Sequence, residues 1–175
     1  MTEAARWVLD DSKYALAQHS NDLQGEDFRT SWVAVVTLLR AVGHVLVKVD
    51  AKSNPRIAKV VKEEWDKLRV TKPEPRILWE FIEQERNNVV KLYQIGVNRG
   101  IRSKGPQIGG EETIIEADHA KSRGGRGSSP VAEYFSYIRS GSFAGRPERE
   151  VAQEAIKFWE DFLCRIDKIV GAAGL

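Results

Sequence analysis

Apolar residues recur at helical spacing through five separate stretches of the chain. The densest is 28–49, where Phe28, Trp32, Val35, Leu39, Val42, Leu46 and Val49 fall on one stripe. Val33, Ala34, Ala41, Val45 and Val47 carry the apolar surface around most of the circumference, which predicts a central helix. Residues 2–20 predict an amphipathic helix with Trp7, Tyr14 and Leu16 on its apolar face. A shorter one over 57–68 turns Val60, Val61, Trp65 and Leu68 inward. Over 77–95 the inward arc is Leu78, Phe81, Ile82, Val89 and Leu92, with Trp79 and Val90 on its flank. The last helix opens at Pro147 and ends at Gly171, with Val151, Ala155, Phe158, Trp159, Phe162, Ile166 and Ile169 inward.

The punctuation between these stretches agrees. Gly25 breaks the chain, and Asp27 is a candidate N-cap. Asn54-Pro55 and the two prolines of "TKPEPR" separate the middle helices. Glu148 and Glu150 suit the positive end of the last one. Residues 96–145 have a different texture. Gly, Ser, Lys and Arg dominate 96–110 and 122–130, "EETIIEAD" has strand character, and "YFSYIRSGSFAG" predicts a hairpin turning at Ser140-Gly141. The expected fold is mainly α: an up-and-down bundle of about five helices, with an irregular, partly β-hairpin insertion before the last. The expected organisation is a single domain over 1–175, with 96–145 an inserted arm.

Composition narrows the function classes. The 27 Lys and Arg against 25 Asp and Glu leave a net charge of +2, too balanced to mark a dedicated nucleic-acid binder. The one cysteine, Cys164, permits no intrachain disulfide and fits a reducing, cytoplasmic setting; beside Phe162 and Leu163 it is expected to pack. One cysteine with the scattered His19, His44 and His119 offers no zinc spacing, so neither a metal nor a cofactor is expected. "MTEAARW" carries an acid and lacks a long apolar run, so it is not expected to be a signal peptide. Arg40, His44 and Lys48 interrupt 32–49, which therefore reads as a buried helix too polar to span a membrane.

One helical face departs from the pattern. On a straight α-helix over 77–95, Glu85 and Arg86 fall inside the inward arc, and Tyr93 lies about 20° from Arg86, whereas Lys91 lies about 140° away. Buried charges need partners, because an unpaired one costs several kcal/mol. Either Glu85 and Arg86 meet partners on neighbouring helices, or this face meets a second copy of the chain or a phosphate. A guanidinium serves either role through its planar fork.

The run Arg86-Asn87-(x3)-Lys91-Leu92-Tyr93 resembles the motif of the HEPN superfamily of small helical bundles, and within it the Arg-x4-His-x-Tyr form of HepT-type toxins. Arg86, Asn87 and Tyr93 match; Lys91 stands where the family has histidine. The resemblance implies a homodimer with facing motif helices and, in active members, metal-independent endoribonuclease chemistry in which the arginine holds the scissile phosphate. Histidine titrates near 6.5 and unperturbed lysine near 10.4, so Lys91 donates to phosphate but is a poor proton acceptor. Arg40 and His44, four apart on the central helix, share a face on which His44 could stand in for the missing base.

The leading expectation is thus a HEPN-like dimeric binding or regulatory module with RNA or phosphate affinity through Arg86 and Lys91, and Glu85, Asn87, Tyr93 and Arg40 as further binding or interface residues. The alternatives are an endoribonuclease using Arg86 with His44 or Lys91, and a structural protein whose partner is another protein. "KSRGGRGSSP" and the cluster Arg99, Arg102 and Lys104 read as surface loops before RNA-binding elements, and "GPQIGG" has no phosphate-loop spacing.

Overall fold

A computed structural model describes residues 1–104, 114–116 and 131–172. Five helices are found among them: α1 (Glu3–Gln18), α2 (Gly25–Ser53), α3 (Pro55–Val70), α4 (residues 77–92) and α5 (Glu148–Ala172). The strands β1 (Val97–Lys104), β2 (Ile114–Glu116) and β3 (Val131–Ile138) form an antiparallel sheet in the order β2-β1-β3. The fold is mainly α, as the periodicity predicts.

α2 is the central helix. Phe28, Trp32, Val35, Val36, Leu39, Val42 and Leu46 are buried along it. They meet α5 through Val151, Ala155, Trp159, Phe162 and Ile166. Gly43 allows a close approach: a Cβ there would lie 2.8 Å from Cη2 of the fully buried Trp159. By length and composition α2 is apolar enough to cross a membrane, contrary to the sequence reading. Its stripe is covered by other helices instead.

The expected stripe runs to Val49, but Val49 is exposed because Leu46–Asp50 forms a π turn. A π turn takes in an extra residue and rotates the residues beyond it. It brings Asp50 inward, where its carboxylate accepts from Ala4 N (3.0 Å) and Ala5 N (2.9 Å) and caps α1 from another helix. Asp167 of α5 holds the same end, accepting from Thr2 N at 2.9 Å and pairing with Arg6 at 2.7 Å. This anchoring presents Ala5, Leu9, Ser12 and Leu16 to the core and leaves Trp7 and Tyr14 exposed, so only Leu16 of the three expected residues is inward. Cys164 is also exposed, one position outside the α5 stripe, and is not a packing residue.

Helix starts follow local chemistry. α2 begins at Gly25 (φ +52°), so Asp27 lies in the first turn rather than at the N-cap. Asn54 caps α3, accepting from Arg56 N at 2.9 Å, with Pro55 at the first position.

The sheet differs from the expected hairpin. β3 pairs with β1 over Val97↔Ile138 to Lys104↔Val131. Residues 139–146 close a compact loop, with Ile138 N donating to Arg146 O and Gly145 N to Ile138 O, both at 2.9 Å. β1 was unforeseen because glycine and basic residues interrupt it; Gly100 sits under the ring of Phe135, which occupies the space of a Cβ. Arg99 is not a loop residue: its guanidinium lies 4.3 Å from the Phe28 ring centroid and donates to Asn21 O at 2.9 Å. β2 matches the strand character of "EETIIEAD". "GPQIGG" and "KSRGGRGSSP" lie outside the described residues.

A buried polar node joins α1, α2, β3 and α5. His19 Nδ1 bonds Ser31 Oγ (2.7 Å), His19 Nε2 donates to Glu148 Oε1 (3.3 Å), and Ser136 Oγ donates to the same oxygen (2.6 Å). Burial opposes ionisation of Glu148, but the bonds from His19 and Ser136 and its own backbone amide outweigh it and hold its pKa below the ordinary 4.5. A carboxyl with a lowered folded pKa adds stability above its unfolded value, lost as pH falls through the folded one. Glu148→Gln is therefore expected to lower stability at pH 7 and to flatten the decline below about pH 4.5 in denaturant titrations. An acid limb as steep as wild type would contradict this.

Candidate functional site

α4 is not a uniform helix. Ile77–Ile82 and Asn88–Leu92 are π turns flanking a single α segment, Glu83–Asn87. Positions assigned at 100° per residue therefore drift across it. Leu78, Phe81, Ile82, Glu85 and Val89 are buried as expected, Ile77 is buried with them, and Leu92 faces solvent with Val90. Tyr93 ends the helix in the left-handed conformation (φ 51°, ψ 38°) and is 73% exposed. Gln94 N closes the end by donating to Asn88 O at 3.1 Å.

The three residues expected on one face thus separate. Glu85 points into the core, where its Oε1 accepts from Trp32 Nε1 of α2 (2.9 Å) and from Gly96 N (2.7 Å). Its carboxyl fills the space a side chain at 96 would need, which explains glycine there. Tyr93 stands at the helix end with the Arg29 guanidinium 6.0 Å from its ring centroid. Arg86 is half-buried. Among the described residues it has no carboxylate partner; its one hydrogen bond runs to Asn87 Oδ1 at 3.2 Å.

Arg86 belongs instead to a cationic face shared with α2. Arg40 pairs with Glu83 across the two helices at 3.2 Å. His44, one turn along, is exposed to solvent. Partial desolvation, then the charges of Arg40, Arg86 and Lys48, push its pKa below the ordinary 6.5, against an opposing pull from Glu83. The imidazole is thus biased to the neutral form amid three cations. Lys91 is exposed in the second π turn. Arg40, His44 and Glu83 also edge a cavity of about 770 Å³ that runs toward α3.

Arg40, His44 and Arg86 come together as the sequence allows; Tyr93 does not join them. The sequence assigns no site role to Lys48 or Glu83, although Arg40, His44 and Lys48 follow an i, i+4, i+8 series that puts them on one helical face. No metal-binding cluster occurs among the described residues. Protein-family models, curated proteins and solved structures yielded no match to the chain.

The adjacent charges should behave in opposite ways. Glu85→Ala strands two buried donors and opens a cavity, and is expected to cost about 2–4 kcal/mol. Arg86→Ala removes no ion pair with any of the described residues and is expected to change stability by about 0.5 kcal/mol or less. Urea unfolding of both variants measures the contrast; a large loss from Arg86→Ala would restore a purely structural role for that residue.

Proposed function

We propose that the chain is a HEPN-like, dimeric helical bundle acting in the cytoplasm as a non-catalytic binding or regulatory module that holds RNA phosphate. The observation that carries this reading is Arg86, a half-buried guanidinium with no carboxylate partner among the described residues, whose charge acts on His44 together with those of Arg40 and Lys48. A guanidinium left unneutralised in that setting is suited to grip a phosphate with two hydrogen bonds. The second subunit would cover the exposed Val90, Leu92 and Tyr93 at the end of α4. A left-handed tyrosine costs the fold energy that glycine would not, and such strain is common where a side chain serves recognition.

Filter binding to single-stranded RNA tests the phosphate role. Arg86→Ala is expected to weaken binding about tenfold, equivalent to ~1.4 kcal/mol. Affinity should rise as pH falls below 6.5, because His44 takes up a proton beside the bound phosphate. That rise should vanish in His44→Gln. Light scattering tests the dimer: Leu92→Glu is expected to yield monomers, and a wild-type chain that stays monomeric at high concentration would sink the dimeric reading.

A second reading, a metal-independent endoribonuclease, is favoured by one specific feature. The lowered pKa of His44 leaves a neutral imidazole at pH 7 near two arginines, as a general base requires. Cleavage in the presence of chelator would then rise with pH through the His44 titration and disappear in both Arg86→Ala and His44→Gln. Equal cleavage by wild type and Arg86→Ala would identify a contaminant.

A further inference from the structure

We propose that the cavity between α2, α3 and the start of α4 binds a nucleotide, its base against Trp65 and Trp79 and its phosphate on a lysine rim. The cavity's volume of about 770 Å³ falls within the range of small-molecule sites, ~300–1,000 Å³. Its wall is aromatic. Trp65 and Trp79 are partly buried, with ring centroids 6.4 Å apart at 59°. Both indole Nε1 atoms are buried without a hydrogen-bond partner. Closed off from solvent, those two atoms do not open onto the cavity, which meets the indole rings themselves.

The rim is basic. Besides Arg40 and His44 it carries Lys52, Lys62, Arg69 and Lys72, with Glu83 the single acid. Glu83 is taken by Arg40, and Arg69 is paired with Asp66 at 3.0 Å. Lys52 and Lys62 have no ion-pair partner among the described residues, so two ammonium groups face the opening unneutralised. Lys72 lies 3.7 Å from the Trp79 ring centroid, at the junction of wall and rim. A simple anion would leave the tryptophans unused, and a neutral aromatic would leave the lysines unused. A nucleotide uses both: bases stack on aromatic faces, and ammonium groups hold phosphate. Arg40 and His44 edge both this cavity and the face proposed above, but Arg86 is not part of the lining, so an Arg86 variant separates the two sites.

The nucleotide has two potential sources, a free mononucleotide or one residue of an RNA strand crossing the Arg40–His44 edge. Calorimetry and tryptophan emission on the full chain separate them, using AMP, GMP, CMP and UMP, their nucleosides, inorganic phosphate and an octaribonucleotide. At least one mononucleotide is expected to bind saturably and alter the emission, with its nucleoside and phosphate at least tenfold weaker. Lys52→Glu/Lys62→Glu, surface changes that should leave thermal unfolding intact, are expected to weaken binding at least tenfold, whereas Arg86→Ala leaves mononucleotide binding unchanged. Lysine-dependent binding of the octamer alone would assign the site to a strand and support it equally. The proposal is overturned if neither ligand binds, if phosphate or nucleoside binds as tightly as the nucleotide, or if the double lysine variant binds like wild type. Loss of octamer binding in Arg86→Ala with unchanged mononucleotide binding would bear on the earlier reading only.

Discussion

The carboxyl of Glu85 sits where three parts of the chain meet. It receives the indole N–H of Trp32 from the central helix and the backbone N–H of Gly96 from the segment leading into the sheet. A buried acid is tolerated only with such partners, and here one oxygen serves both donors. The bond to Trp32 fixes the rotation of α4 against α2. The bond to Gly96 fixes where the chain leaves α4 and enters β1. With Glu85 committed to the interior, the next residue, Arg86, lies near enough to α2 for its charge to act on His44. The cationic face follows from how the neighbouring acid is held.

Elsewhere, acids from one element likewise secure another. Asp50 caps the start of α1 from α2, and Asp167 grips the same end from α5. Glu148 begins α5 while holding His19 of the α1–α2 connection and Ser136 of β3. These carboxylates are consumed inside the fold, whereas Lys52, Lys62 and Arg86 keep their charge without a matching acid among the described residues. Near-neutral overall composition therefore coexists with a basic surface running from α4 across α2 to α3. A net count cannot reveal such an imbalance, because it weights a buried paired carboxylate and a free lysine equally.

The helices were legible because their periodicity is strong. The α2 and α5 stripes agree with the wheel through Leu46 and Ile166. Errors arose where geometry left the α ladder. The π turns at Leu46–Asp50 and Asn88–Leu92 turned Val49 and Leu92 outward, and nothing in local composition marks such a turn. On α1 the small residues Ala5 and Ser12 were chosen for burial over Trp7 and Tyr14, because capping by distant acids set its orientation. β1 was invisible for a related reason: its register depends on Phe135 covering Gly100 from another strand. At the site, spacing alone paired Arg40 with His44, whereas the aromatic cavity needed three elements that no window of sequence contains.

The two π turns of α4 let one rod serve two clients. Its first turns bury Ile77, Leu78, Phe81 and Ile82 in the bundle, while its last turn presents Val90 and Leu92 to the outside. A regular α-helix of that length would hold one face throughout and would have to bend to do otherwise. Widening the ladder changes the facing by phase instead, with the axis still packed on α2. In mechanical terms, α4 is a coupling shaft with an offset: its inner half and Val89 are fixed by the core, and the outward positions Val90 and Leu92 can change without disturbing the packing beneath.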